Sequence, residues 1–270
     1  MVRAALAIAC LATVSGCGGG KTAPTEASQT ATPPPAVRPE DPLPAVTKAA
    51  TPAPPPAPRD ILRPSGSTIP GWGEVADPDG DCVFREHDGF VTLSIPATAH
   101  DINPTHEGRN APRVVRPIRG DFRAVVRVAG DFIPKAGSSS KFARPFHGAG
   151  LVFWQDERNF LALFRNSWSV GPGRYDCYAP LFELFEDGQP KNTNPGQVPA
   201  ATFQGQSTAL YLERRGNTLK GAYSHDGVSW EGWRDTPTQL SPNAFIGIAA
   251  GNTAAEEFKV RFDGFKILDE

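Results

Sequence analysis

No stretch of this chain constrains its fold more than Gly148 to Trp168, G-A-G-L-V-F-W-Q-D-E-R-N-F-L-A-L-F-R-N-S-W. Two apolar runs, Gly150–Trp154 and Phe160–Phe164, flank Gln155-Asp156-Glu157-Arg158-Asn159, a polar connector of hairpin length. Runs this short, rich in aromatics and bounded by turn residues, predict paired strands deep in an antiparallel sheet. Alternation places Leu151, Phe153, Leu161 and Leu163 on one face and Val152, Trp154, Phe160 and Phe164 on the other. A strand that borders water on one side is polar there. Both faces here are apolar, so the second face is either covered or binds something.

From Trp72 onward the remaining pattern is strand after strand. Cys82–Glu86 and Phe90–Ile95 flank His87-Asp88-Gly89, a hairpin signal through its Asp-Gly step. Arg113–Ile118 precedes Gly120-Asp121, and Phe122–Val128 then alternates with Phe122, Ala124, Val126 and Val128 inward and Arg123 and Arg127 outward. Further strands are expected at Leu181–Phe185, Ala209–Arg214, Thr218–Ser224, Val228–Trp233, Phe245–Ala249 and Phe258–Leu268, with one helical turn near Ala254–Glu257. Many short strands joined by Gly, Asn, Asp and Pro turns predict an all-β fold, a two-sheet antiparallel jelly-roll sandwich.

The N-terminus speaks to compartment. Met1-Val2-Arg3 is a short positive region, Ala4–Thr13 is apolar, and Val14-Ser15-Gly16-Cys17 follows. This has the form of a bacterial export signal, too short for a stable transmembrane span. The tetrapeptide resembles the lipobox of bacterial lipoproteins. That resemblance implies cleavage after residue 16, lipidation of Cys17 and attachment to a bilayer, and Gly18 after the cysteine implies the outer membrane or cell surface. Residues 17–64 hold no aromatic residue and are dominated by Pro, Ala and Thr. Such a segment cannot bury enough apolar surface to fold and is expected to be a disordered, extended spacer reaching on the order of 130 Å. The folded domain is expected at 65–270.

Two cysteines remain beyond the signal, Cys82 and Cys177. In an oxidising compartment they suggest one disulfide, worth roughly 4–5 kcal/mol in the chain-entropy model, the alternative being two buried thiols. Asp77, Asp79 and Asp81 occupy alternate positions, with Asp88 at the twelfth place of the same window. This spacing is that of a calcium loop, although Cys82 stands where such a loop has glycine, and a plain turn is the competing reading. The net charge of -2 leaves no basic footprint for nucleic acid.

G-W-G-E-V-A-D-P-D-G-D-C (Gly71–Cys82), H-D-I-N-P (His100–Pro104), N-A-P-R-V (Asn110–Val114), G-D-F (Gly120–Phe122), the Gly148–Phe160 run, L-F-E-L-F-E-D-G (Leu181–Gly188) and L-E-R-R-G-N-T-L-K-G-A-Y-S-H-D-G-V-S-W (Leu212–Trp230) occur in one order. Together they resemble the bacterial domains related to the regulation-of-enolase protein. The resemblance implies a concanavalin A-like jelly roll and no settled activity.

No catalytic set stands out. Glu183 and Glu186 fall on opposite faces of one strand, and the E-x-D-x-x-E of jelly-roll glucanases is absent. Ser224-His225-Asp226-Gly227-Val228-Ser229-Trp230 holds the letters of a triad, but neighbours in a turn cannot point at one another as a triad requires. The segment resembles the Asp-box hairpin, whose role is structural, with its Trp packed underneath. His100, Asp101, Asn103 and the Asn110-Ala111-Pro112-Arg113 segment form polar loops that either rim a site or knit the sheet edge. Trp154, Phe164 and Tyr211, with Glu183 beside them, would make an aromatic floor on which sugar rings stack. The competing reading has Ala143–His147 or Asn166–Tyr178 folded over that floor as a lid, anchored by Trp168, Tyr175 and Tyr178. The expectation is a membrane-tethered, non-catalytic module that binds carbohydrate or a cell-envelope glycan. A module docking an envelope protein through its apolar face is the alternative, and a glycan-active enzyme the third.

Overall fold

The structure is a computed structural model and describes residues 66–106, 109–141, 143–198, 206–232 and 235–268. The export signal, Cys17 and the proline-rich segment lie outside the described residues. In chain order the strands are β1 (Thr68–Ile69), β2 (Gly73–Ala76), β3 (Val83–His87), β4 (Phe90–Ile95), β5 (Arg113–Arg119), β6 (Phe122–Gly130), β7 (Phe146–Asp156) and β8 (Asn159–Gly171). They continue with β9 (Arg174–Glu186), β10 (Gln189–Val198), β11 (Thr208–Arg215), β12 (Thr218–Ser224), β13 (Glu231–Gly232), β14 (Thr236–Pro237), β15 (Asn243–Asn252) and β16 (Phe258–Leu268).

The strands form two antiparallel sheets. The first runs β1-β2-β5-β15-β7-β8-β9-β10, and the second β13-β12-β11-β6-β16-β4-β3 with β14 paired to β12. The expected two-sheet jelly roll is the observed fold. β7 and β8 sit inside the first sheet, flanked by β15 and β9, as the double apolar pattern demands. Leu151 pairs with Leu163 and Trp154 with Phe160 across the hairpin. Asp88 and Gly89, both with positive φ, close the β3–β4 hairpin in the backbone sense that matches strand twist.

The core between the sheets is made by one alternate set: Leu151, Phe153, Leu161 and Leu163 meet Val126, Val128, Leu210 and Leu212 of the second sheet. The other set, Val152, Trp154, Phe160 and Phe164, forms a second apolar cluster on the outer face of the first sheet. Ile102 and Ala111 from the β4–β5 connection complete that cluster and cover it. Of the expected lids, Ala143–His147 contributes Phe146, which packs against the cluster beside them. Asn166–Tyr178 is instead the far end of the β8–β9 hairpin, each strand being thirteen residues long.

Four more expectations need correction. Ala254–Glu257 forms no helix, and none occurs among the described residues; Ala254 makes a β-bridge to Ser138 instead. Most of the strand expected at Val228–Trp233 is turn, because Asp226 captures the backbone amides of Val228 and Ser229, leaving only β13. β10 is a strand although its sequence, with Pro190 and Pro195, does not read as one. It lies at the sheet edge, where proline is tolerated, and its register with β9 shifts between Pro190 and Asn192 and between Pro195 and Gln197. Finally, Cys82 and Cys177 are free thiols, both buried. Cys177 sits on β9, which faces β12 across the core, whereas Cys82 precedes β3 at the opposite lateral edge of that second sheet. No bridge can join them in this fold.

Candidate functional site

A cleft of about 400 Å³ opens on the outer face of the first sheet. Its sheet wall comes from alternate residues of two neighbouring strands, Phe164 and Trp168 of β8 and Leu181 and Glu183 of β9. Phe146, at the start of β7, supplies a third ring. The tip of that ring lies against Gly148, and its edge against Gly251: a Cβ at Gly148 would fall 2.2 Å from Phe146 Cζ, so only glycine lets it seat there. Arg144 and Thr253 close one end, and the loop carrying Asp101, Asn103 and His106 closes the other.

The loop holds its shape through its own polar side chains. His100 exchanges backbone hydrogen bonds with Asn252, and the Asn252 amide donates to the Pro96 carbonyl. Asn110 accepts the Asp101 amide at 3.1 Å and donates to the Ala99 carbonyl at 2.8 Å and to Asp79 Oδ2 at 2.6 Å. Asp101 Oδ1 accepts the Asn103 amide at 2.9 Å, while Oδ2 accepts from His106 Nδ1 at 2.6 Å. His100 and Asn110 thus knit the loop, and Asp101 both knits and rims the cleft.

The cleft is a place of altered proton affinity. Burial, and then the neighbouring Asp101 charge, push Glu183 up to about 7, so its carboxyl exchanges its proton near neutral pH. The hydrogen bond to Asp101 raises His106 above the ordinary histidine value. A hydrogen-bonded histidine–aspartate pair therefore stands beside a carboxyl whose charged form burial disfavours. One strand could not reveal this group, because its partners come from a loop far away in sequence. His106 was not singled out in the sequence, whereas Asn103 belonged to the expected polar loop and Arg144 and Phe146 to the expected lid Ala143–His147. The one available signal for His106 was its place in the same polar loop as His100.

The expected aromatic floor is not one surface. Phe164 and Glu183 line the cleft, but Trp154 does not. Trp154, Phe160 and Phe185 stack in a row at 5.1 and 5.0 Å across β7, β8 and β9, and Phe160 and Phe185 are fully buried. The Arg113 guanidinium lies 4.2 Å above the Trp154 ring. Burial lowers the pKa of that arginine. Arg113 and Trp154 border a different depression, of about 430 Å³, shared with Phe245 and Glu74. Tyr211 alternates outward as expected, but from β11 of the second sheet, on the far side of the molecule. There it meets Trp230 edge-on at 5.9 Å, and Trp230 stays 43% exposed rather than packing under its turn. Phe164 and Tyr211 therefore cannot share a ligand.

The Asp-box turn is structural. Asp226 Oδ1 accepts from Ser224 Oγ and from the Val228 and Ser229 amides, and Ser224 Oγ accepts the Gly227 amide. Glu186, on the face opposite Glu183, accepts from Thr238 Oγ1 and the Gln239 amide. In the segment with calcium-loop spacing, Asp77 turns inward, its carboxylate accepting the Gly80 and Cys82 amides at 3.2 Å, as a plain turn does. Asp79 and Asp81 point elsewhere, towards Asn110 and His100.

No described protein family matches the chain, so the resemblance to the regulation-of-enolase domains gains no support there; no curated protein matches it either. Solved structures do. A functionally unknown protein from Saccharomyces cerevisiae is 18% identical, with 69% of this chain and 91% of that one covered and a TM-score of 0.52. The GH43 BlXynB protein from Bacillus licheniformis is 17% identical, with 73% and 39% covered and a TM-score of 0.46. Peanut lectin with a 9mer peptide is 10% identical, with 67% and 99% covered and a TM-score of 0.36. At such identities what this chain shares with the yeast protein is the sandwich fold.

Proposed function

We propose that the protein is a lipid-anchored, non-catalytic carbohydrate-binding module of the bacterial cell envelope, held off the membrane by residues 17–64 and binding glycan in the cleft of the first sheet. The observation that carries this reading is the juxtaposition in one open cleft of three aromatic rings, Phe146, Phe164 and Trp168, with Asp101, His106 and Glu183. Rings accept the C–H faces of sugars, and the polar groups fix their hydroxyls. A neutral Glu183 both donates and accepts hydrogen bonds, as a sugar hydroxyl requires of its partner. The protein-docking alternative needed an open apolar face, and Ile102 and Ala111 cover that face.

One observation favours a glycan-active enzyme as the second reading. Asp101 and Glu183 are two carboxyl groups in one cleft, and burial raises the proton affinity of Glu183, a pairing that acid–base chemistry on glycosides uses. Against it, both oxygens of Asp101 are already engaged, by the Asn103 amide and by His106. That geometry suits a scaffold carboxylate better than a base or nucleophile.

The test is affinity electrophoresis of the full chain through gels containing neutral or uronic-acid polysaccharides, with reducing ends assayed in parallel. Retardation on at least one polysaccharide without new reducing ends is the expected result. New reducing ends that vanish in Glu183→Gln would establish the enzyme instead, and absence of retardation on every polysaccharide would end the glycan reading.

A further inference from the structure

We infer that Asp81, Cys82 and His100, together with Asp79, form a binding site for one divalent ion of the zinc type. This site is separate from the cleft and does not depend on what the cleft binds. One ligand atom each from Asp81, Cys82 and His100 lies within 4.8 Å of the others. His100 Nε2 is 2.9 Å from Asp81 Oδ1 and 3.7 Å from Asp79 Oδ2, and Cys82 Sγ is 3.7 Å from Asp81 Oδ1. A tetrahedral ion with ordinary zinc bond lengths sets nitrogen–oxygen edges of about 3.3 Å and sulfur–oxygen edges of about 3.6 Å. Asp81, Cys82 and His100 are therefore close to the spacing they would need, before any ion draws them in, and Asp79 stands next to His100 as the fourth group.

The orientation of His100 is the second observation. Its side chain is 0% exposed, and Nδ1 lies 3.1 Å from the Thr98 carbonyl. A carbonyl oxygen only accepts, so the shorter of the two Nδ1 contacts, ahead of the Thr98 hydroxyl at 3.5 Å, favours a proton on Nδ1, and in that tautomer a neutral ring turns the lone pair of Nε2 towards Asp81. A lone pair and a carboxylate oxygen at 2.9 Å need a cation between them, either a proton on Nε2 or a metal ion. Fixing the outer nitrogen of a histidine on a backbone carbonyl is how proteins prepare it as a metal ligand. Thiolate and imidazole beside carboxylate select a zinc-type ion, whereas calcium requires oxygen ligands throughout. Asp79 and Asp81 are half-exposed and give an ion its way in, while Cys82 and His100 are buried behind them.

The bond to Cys82 Sγ forms as the thiol proton leaves to solvent, with no change of oxidation state. An ion here would tie the segment before β3 to the loop that begins at His100 and carries Asp101, Asn103 and His106 into the cleft.

Cobalt(II) added to the full chain at neutral pH is the probe. The expected spectrum shows a thiolate-to-cobalt charge-transfer band and the strong visible bands of a tetrahedral ion, both erased by equimolar zinc and untouched by calcium. Cys82→Ser should lose the charge-transfer band and Cys177→Ser should keep it. Asp81→Asn, which keeps the size of a half-exposed side chain, should weaken binding by about 100-fold or more, beyond what loss of an outer-sphere partner does. A spectrum that stays that of the hydrated ion would mean that only a proton bridges His100 and Asp81. Bands that persist in Cys82→Ser would place the ion elsewhere. Either result overturns the site.

Discussion

On the outer face of the first sheet, Trp154 lies 4.2 Å beneath the Arg113 guanidinium and is 7% exposed. On the outer face of the second, Trp230 meets Tyr211 edge-on with 43% of its own surface in water. The difference follows from the strands beneath. β7 and β8 are apolar on both sides, so the first sheet demands a cover and receives one from the β4–β5 connection. The exposed sides of β6 and β16 carry Arg123, Arg127, Lys259 and Arg261, so the second sheet borders water without one. A cover that stops short leaves a cleft at its edge. That is where Phe164, Trp168, Glu183 and the loop groups Asp101 and His106 converge.

The contrast is broken most severely by truncating the covered ring. Trp154→Ala opens a buried cavity and is expected to cost about 3–5 kcal/mol, read as a lowered denaturant midpoint. A loss under about 1 kcal/mol would mean that the outer face is open after all.

Next in size is a pH effect confined to the cleft. The Glu183 carboxyl rises from an ordinary 4.5 to about 7 on folding, so the folded chain holds its proton more tightly than the unfolded chain does. The associated stabilisation is complete below about pH 4.5 and is lost as pH rises through about 7; it is bounded at about 3 kcal/mol. Asp101 and His106 face this group, one raising and the other lowering its proton affinity. His147 acts in the opposite sense. Burial lowers it to about 4, and its contribution, present above the ordinary 6.5, is lost as pH falls through about 4. Urea midpoints across this range should decline on the alkaline side for the parent chain, and the decline should flatten in Glu183→Gln. An unchanged slope in that variant would remove Glu183 as the titrating group.

The smallest effect belongs to the second sheet. Tyr211→Ala is expected to change stability by under about 1 kcal/mol, as is usual for partly exposed positions away from special features. A loss as large as that of Trp154→Ala would erase the contrast between the faces.

How far the sequence carries depends on how local each signal is. The β7–β8 hairpin announces itself because apolar runs, connector and alternation all lie within twenty-one consecutive residues, Gly148 to Trp168. The need for a cover was legible in the same residues, and so was the segment that brings Phe146, but Ile102 and Ala111 were not, since they are separated from Trp154 by two whole strands. Glu183 was correctly placed outward, while its partners Asp101 and His106 arrive through a loop closed by Asn110 and Asn252. Tyr211 shows the opposite failure. Its outward direction follows from alternation, yet alternation does not say to which sheet a strand belongs. The Cys82–Cys177 bridge failed for the same reason, because two cysteines give a count and not the lateral position of β3 and β9. The edge strand β10 stayed hidden because prolines argue against a strand everywhere except at an edge, and edge position is a property of the assembled sheet.

The central claim is that the cleft of the first sheet, and not the exposed aromatic pair of the second, binds glycan. The direct measurement is a side-by-side retardation assay of the parent chain, Trp168→Ala and Trp230→Ala on the polysaccharide that retards the parent most. Trp168 stands on the cleft wall and Trp230 on the far face, and each removes one indole. The account predicts that retardation collapses by about tenfold or more in Trp168→Ala, the loss of one stacking contact worth about 1.4 kcal/mol, and stays at the parent value in Trp230→Ala. Parent-like retardation in Trp168→Ala with loss in Trp230→Ala would contradict it and move the binding surface to the second sheet.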